Sequence, residues 1–175
     1  LRGTPIVRHD AEWQMVYNPY PPYEILQNKL IDFTTMQRLR RFAKYWDLVG
    51  NSGNFVESTK LIWAGSVSPF SSFLNWSKWL YERIGRTDTI ALMRLMELLF
   101  NFLTEERKLD AKLVAETIWR DYQRGGRRDK PGFLVAQLGD AVPMYSKFGA
   151  VLPKRQARHL APGADKKVDP AGSVG

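Results

Sequence analysis

The chain of 175 residues contains no cysteine, two histidines and fewer acids than bases, 18 against 26. Without cysteine it holds no disulfide, no thiolate zinc site, no cysteine nucleophile and no Cys-ligated iron–sulfur cluster of its own. The one metal-ligand mixture, His9 with Asp10 and Glu12, has no partners at useful spacing and reads as a surface trio. Long apolar runs are missing too. The most apolar one, residues 90–103, is broken by Arg94 and Glu97, so nothing approaches the roughly 18 to 20 residues of a membrane span. The opening LRGTPIVRHDAEW lacks the apolar core of a signal peptide. The expectation is a soluble, cytoplasmic protein.

Catalytic patterns are equally scarce. Gly50-Asn51-Ser52-Gly53 has the wrong spacing for a nucleophile elbow and follows a predicted helix, whereas the elbow follows a strand. There is no phosphate loop, dinucleotide fingerprint or His-Glu-x-x-His. The carboxylate pairs Glu105 with Glu106, and Glu116 with Asp121, fall among cations on predicted surfaces, where nothing would raise a pKa for acid catalysis. The chain alone does not read as an enzyme.

What is present belongs to a globular protein with one core: 44% of residues are hydrophobic and 13% aromatic. The most informative stretch is residues 33–55, FTTMQRLRRFAKYWDLVGNSGNF. Met36, Leu39, Phe42, Ala43, Trp46 and Val49 recur at helical spacing, which predicts a helix burying that face. Asp32 is placed to cap its start, and Gly50 stands where a left-handed residue would end it. Arg38, Arg41 and Lys44 recur every three residues with Arg40 beside them, against the single acid Asp47. Two readings stay open: a solvated face whose heads pair with acids elsewhere, or an anion or partner site. Tyr45, Trp46 and Asn54 would suit nucleic acid in principle, although Trp46 falls on the predicted core face.

Residues 1–31 carry Pro5, Pro19, Pro21 and Pro22 with interleaved tyrosines, which predicts an extended strap without helix. A shorter helix over residues 55–64 ends at Gly65. Ser68-Pro69 opens the next, with Phe70, Phe73, Leu74, Ser77, Leu80, Tyr81 and Ile84 as its stripe and Gly85 as its stop. Thr87 or Asp88 caps a helix over residues 87–103 that is apolar nearly all round and must be enclosed. Residues 104–109 form a polar connection. Asp110 then caps residues 111–124, with Ala111, Ala115, Ile118 and Tyr122 on one side and Gly125 at the end. The fold class expected is mostly α, one antiparallel domain of about five main helices over residues 32–160.

A second charge cluster, Arg127, Arg128 and Lys130 around Asp129, follows two glycines. It would either present guanidinium forks to an anion or bridge to Asp47, Asp121 or Asp129 and lock the helices together. From Pro153 the chain turns basic, then small and polar. Residues 154–159 suit a turn of helix, and residues 161–175 a disordered tail.

Four ordered runs together carry a family resemblance: YNPYPPYEIL at 17–26, FAKYWDLVGNSGNF at 42–55, GRTDTIALMRLMELLF at 85–100 and IWRDYQRGGRRDKPGFL at 118–134. They resemble the C-terminal domain of unknown function found in cobalamin-binding radical S-adenosylmethionine proteins, with LRGTPI similar to the end of the radical enzyme's barrel. The resemblance implies a parent with a cobalamin module, a barrel holding a 4Fe–4S cluster and S-adenosylmethionine, and this helical part last. No catalytic, cofactor-binding or metal residue carries over, because the cluster cysteines have no counterpart here. The expectation is therefore an accessory domain partnering the radical barrel. The alternative is a basic helical module binding nucleic acid, or a protein docked through Pro19 to Pro22.

Overall fold

The computed structural model describes residues 5–127 and 129–139. Arg128, the proposed turn at residues 154–159 and the proposed tail at residues 161–175 lie outside the described residues. The fold is mostly helical, in one domain, with a two-stranded hairpin as the only sheet among the described residues.

The strap expected to lack helix begins with a 3-10 turn, Pro5–His9, that runs into α1, Asp10–Trp13. Local polar contacts close this segment: the Tyr17 hydroxyl donates to the Asp10 carboxylate at 2.7 Å, and His9 approaches Glu12 at 3.5 Å. Strands β1, Val16–Tyr17, and β2, Ile25–Gln27, then pair antiparallel with Val16 opposite Gln27 and Tyr17 opposite Ile25. Pro19, Tyr20, Pro21, Pro22 and Tyr23 fall in the loop between them, so the extended character holds only for the hairpin arms. The hairpin packs on α2, and Arg40 reaches Glu24 at 2.7 Å to fix it there.

Helix α2 spans Phe33–Val49, with the Asp32 carboxylate accepting from the Thr35 N–H at 2.7 Å as a cap. Its buried line is rotated from the expected one. Tyr45 is fully buried while Ala43 is exposed, because α4 lies against the Phe42, Tyr45 and Val49 side. Gly50 is not left-handed either: its φ is −70°. Its lack of a side chain serves packing, since a Cβ there would come within 2.6 Å of the Trp46 indole.

The helix expected over residues 55–64 shrinks to α3, Ser58–Leu61, held by polar contacts from α6. Helix α4, Pro69–Ile84, starts as expected, with Ser68 Oγ accepting from the Ser71 N–H at 3.2 Å and Gly85 at φ 65° closing it. Its core residues are Phe73, Trp76, Ser77, Trp79 and Leu80, whereas Phe70 and Tyr81 of the expected stripe lie exposed. Helix α5, Leu92–Asn101, starts later than its expected caps. Ala91 precedes it without a side-chain cap, and Thr89 has φ 52°. It continues as a π-helical turn, Phe102–Glu106, where a polar connection was expected. Leu95, Met96, Leu98, Leu99, Phe100, Phe102 and Leu103 make this the centre of the core. Helix α6, Ala111–Arg124, is capped by Asp110 at 2.8 Å from the Leu113 N–H and packs against α3, α5 and a short α7, Gly132–Leu138, that the sequence reading did not anticipate.

Candidate functional site

Helices α2 and α4 cross in opposite directions. Early residues of α2 meet late residues of α4, as in Arg41 over Tyr81, and late meets early, as in Trp46 on Phe73. Along this seam lie two cavities of different chemistry.

The first is an aromatic cleft of about 350 Å³ lined by Phe42, Trp46, Trp63, Pro69, Phe70 and Phe73. Its walls brace one another: Phe42 meets Phe70 at 5.0 Å and Phe73 at 4.9 Å between centroids, and Trp46 meets Phe73 at 5.0 Å and Trp63 at 6.2 Å. Such edge-on and offset contacts hold the rings without closing the space between them. Phe70 remains 51% exposed, and Val67 beside it is fully exposed.

The second cavity, of about 340 Å³, is lined by Arg38, Arg41, Lys78, Tyr81 and Glu82. Arg41 sits over the Tyr81 ring, its guanidinium carbon 4.6 Å from the centroid. Below it, the buried Tyr45 hydroxyl donates to the Arg86 carbonyl at 2.8 Å, and burial pushes its pKa up to about 12. The predicted basic row therefore divides. Arg38 and Arg41 share this cavity, Arg40 turns to Glu24, and Lys44 is exposed away from it. A three-residue step falls 60° short of a full turn on each repeat, which carries Lys44 round to another side. Tyr45, considered for base stacking, is inside the core.

Of the second predicted cluster, Arg127 and Lys130 are among the described residues and Arg128 is not. Arg127 lies 5.4 Å over Tyr122 and donates to Asn54 Oδ1 at 3.3 Å, Tyr122 donates to Asp129 at 2.7 Å, and Lys130 is exposed. Among the described residues, the acids expected to receive these arginines are engaged by other groups. Asn51 donates to Asp47, and Asp121 accepts from the backbone N–H groups of Glu57 and Ser58 and from the Ser58 hydroxyl at 2.7 to 3.0 Å. Two other arginines, Arg120 and Arg124, do lock helices together, gripping Glu57 from α6. Asp121, expected at the surface with an ordinary pKa, is 1% exposed, and burial raises its pKa despite the three donors.

Sequence reasoning missed Trp63, Pro69, Phe70, Lys78 and Glu82 as members of a site. Phe70 was visible only as an apolar residue one step past a helix-opening Ser-Pro; its exposure depends on how far α4 rotates against α2.

Among the described residues no three His, Asp or Glu side chains gather as a metal site requires, and no helix is long and apolar enough to cross a membrane. A thiolate-held iron–sulfur cluster does not fit this chain, which offers no thiolate. No curated protein and no solved structure matches the chain. Residues 11–158 match the family described as "Protein of unknown function (DUF4080)", most of the chain's length and all of the α2–α4 seam, and the chain belongs to that family.

Proposed function

We propose that the chain is a non-catalytic docking module, the helical C-terminal part of a cobalamin-binding radical S-adenosylmethionine protein, which packs on the catalytic barrel and shapes access of its substrate. The aromatic cleft carries this reading. Five rings and a proline surround open space, and the most exposed ring, Phe70, stands at its edge. Contiguous exposed apolar surface bordered by charge is the usual mark of an interaction face, and covering it is favourable at about 25 cal/mol per Å². Arg38 and Arg41 further along the seam favour a partner surface with an apolar anchor flanked by acids. The barrel is chosen as occupant by the resemblance of residues 17–26, 42–55, 85–100 and 118–134 to the family domain that follows such a barrel. The 4Fe–4S cluster, S-adenosylmethionine and cobalamin then belong to the partner, and the setting is cytoplasmic.

Two results test the reading. The coding sequence upstream of this chain, continuous with it or separate, should carry the three-cysteine cluster motif of a radical enzyme; upstream sequence without one removes the proposed partner. With the barrel purified apart from this chain, Phe70→Asp should weaken association by about a hundredfold, the loss of a buried aromatic anchor plus the desolvation of a charge. Association unchanged by Phe70→Asp would remove the cleft from the interface.

A further inference from the structure

We propose that the cavity of Arg38, Arg41, Lys78, Tyr81 and Glu82 binds a small organic phosphate monoester, with the phosphate held by the two guanidinium groups. Three cations and one acid line about 340 Å³. The excess of two positive charges matches a phosphate monoester, which is close to a dianion at neutral pH. A carboxylate would leave one charge unanswered. Glu82 is already shared with Lys78 of the same helix at 3.8 Å, and the Asp32 cap, whose charge Arg38 stabilises from a distance, makes no ion pair with it, so neither guanidinium is closed off by a salt bridge.

Arg41 is prepared for this work by its seat on Tyr81. A ring contact consumes none of the guanidinium's N–H donors, so its fork, the geometry that receives phosphate oxygens in pairs, stays available. The helix that carries the ring is itself anchored. Tyr81 projects from a helix whose Trp76, Trp79 and Leu80 are anchored in the core. Neither Arg38 nor Arg41 hydrogen-bonds or ion-pairs with a partner among the described residues, in contrast to Arg40, which has Glu24, and to Arg120 and Arg124, which have Glu57. The volume lies at the lower end of small-molecule pockets, roughly 300 to 1,000 Å³, which suits a phosphate with a compact organic body rather than a nucleotide chain. The site stands apart from the aromatic cleft, so it does not need the cleft to be covered, although a partner's acids would compete with the phosphate for the same two arginines.

The test is calorimetric titration of the full chain at constant ionic strength with phenyl phosphate, inorganic phosphate and benzoate, with the arginine Nε–H resonances followed by NMR. Phenyl phosphate should bind with one-to-one stoichiometry and shift the signals of Arg38 and Arg41, while inorganic phosphate and benzoate bind more weakly. Arg38→Ala and Arg41→Ala should each weaken binding by about tenfold or more, the loss of a charge-assisted contact. Lys44→Ala, on the same helix but outside the cavity, should leave it unchanged. Arg38 is exposed, so its variant keeps the test valid even if removing Arg41 from Tyr81 disturbs the fold. The proposal is overturned by absence of saturable binding, by benzoate binding as tightly as phenyl phosphate, or by equal losses in the Lys44 and Arg38 variants. Inorganic phosphate binding as tightly as phenyl phosphate would overturn the organic body.

Discussion

Asp121→Ala is the most demanding test of how this fold is held. The carboxylate reaches from α6 to the start of α3 and accepts from the N–H of Glu57, the N–H of Ser58 and the Ser58 hydroxyl. Removing it leaves three donors unpaired in a place where Ser58 is fully buried and water cannot easily replace it. Each orphaned donor costs about 1 to 3 kcal/mol, offset by relief of the desolvation that the buried carboxylate itself suffers, so the net loss should be about 3 kcal/mol. Urea unfolding followed by tryptophan fluorescence gives this number directly. The pH dependence adds a signature. Because burial raises the Asp121 pKa, the folded chain holds that proton more tightly than the unfolded chain does. Stability contributed by this group therefore falls as pH rises from the unfolded value, about 3.9, through the higher folded one. The difference in unfolding free energy between the unaltered chain and Asp121→Ala should shrink across that interval. A loss below about 1 kcal/mol, or a difference that grows with pH there, would refute the assignment of a buried carboxylate cap.

Further outcomes follow from other contacts. Gly50→Ala places a Cβ against the Trp46 indole and should cost about 1 to 3 kcal/mol in the same assay while disturbing the aromatic cleft; a neutral substitution would mean that the indole moves freely. Ser68→Ala removes the α4 cap and should cost about 1 kcal/mol, read as a lower urea midpoint. In a spectrophotometric titration Tyr45 should stay un-ionised until about pH 12 or until the chain unfolds, and Tyr45→Phe should leave the ionisation curve below that pH unchanged. Gel-shift titration with single-stranded DNA should give weak binding with a shallow salt slope; a steep slope abolished by Arg38→Ala and Lys44→Ala together would favour a nucleic-acid interface over the docking reading.

The helical class and several ends were legible because local chemistry writes them. Asp32, Ser68 and Asp110 cap the helices that they precede, and Gly85 ends α4 in the left-handed region. The enclosure of α5 was legible from its nearly continuous apolar circumference. Rotation about a helix axis was not. A tryptophan, a tyrosine and a leucine are equally apolar to a periodicity count, so Trp76 and Tyr45 were misplaced by one step of the helix. The start of α5 was missed because Thr87 and Asp88 are good caps locally, yet the chain reaches its helical path only at Leu92. The basic row looked like one face because spacing by three was counted without its drift. The seam itself was illegible for a different reason. Arg38 and Lys78, or Trp46 and Phe70, come together only through the antiparallel packing of α2 on α4, and a contact between segments separated by 20 to 40 positions leaves no local pattern to read.

The docking claim is tested most directly by hydroxyl-radical footprinting of the chain alone and mixed with the proposed partner, a radical barrel supplied as a separate polypeptide. Oxidation of Trp46, Trp63 and Phe70 should fall strongly in the mixture, while that of Met93 and Leu113, exposed on α5 and α6, should stay the same. Unchanged oxidation of the cleft in a mixture that demonstrably associates, with protection appearing at Met93 or Leu113 instead, would contradict the account.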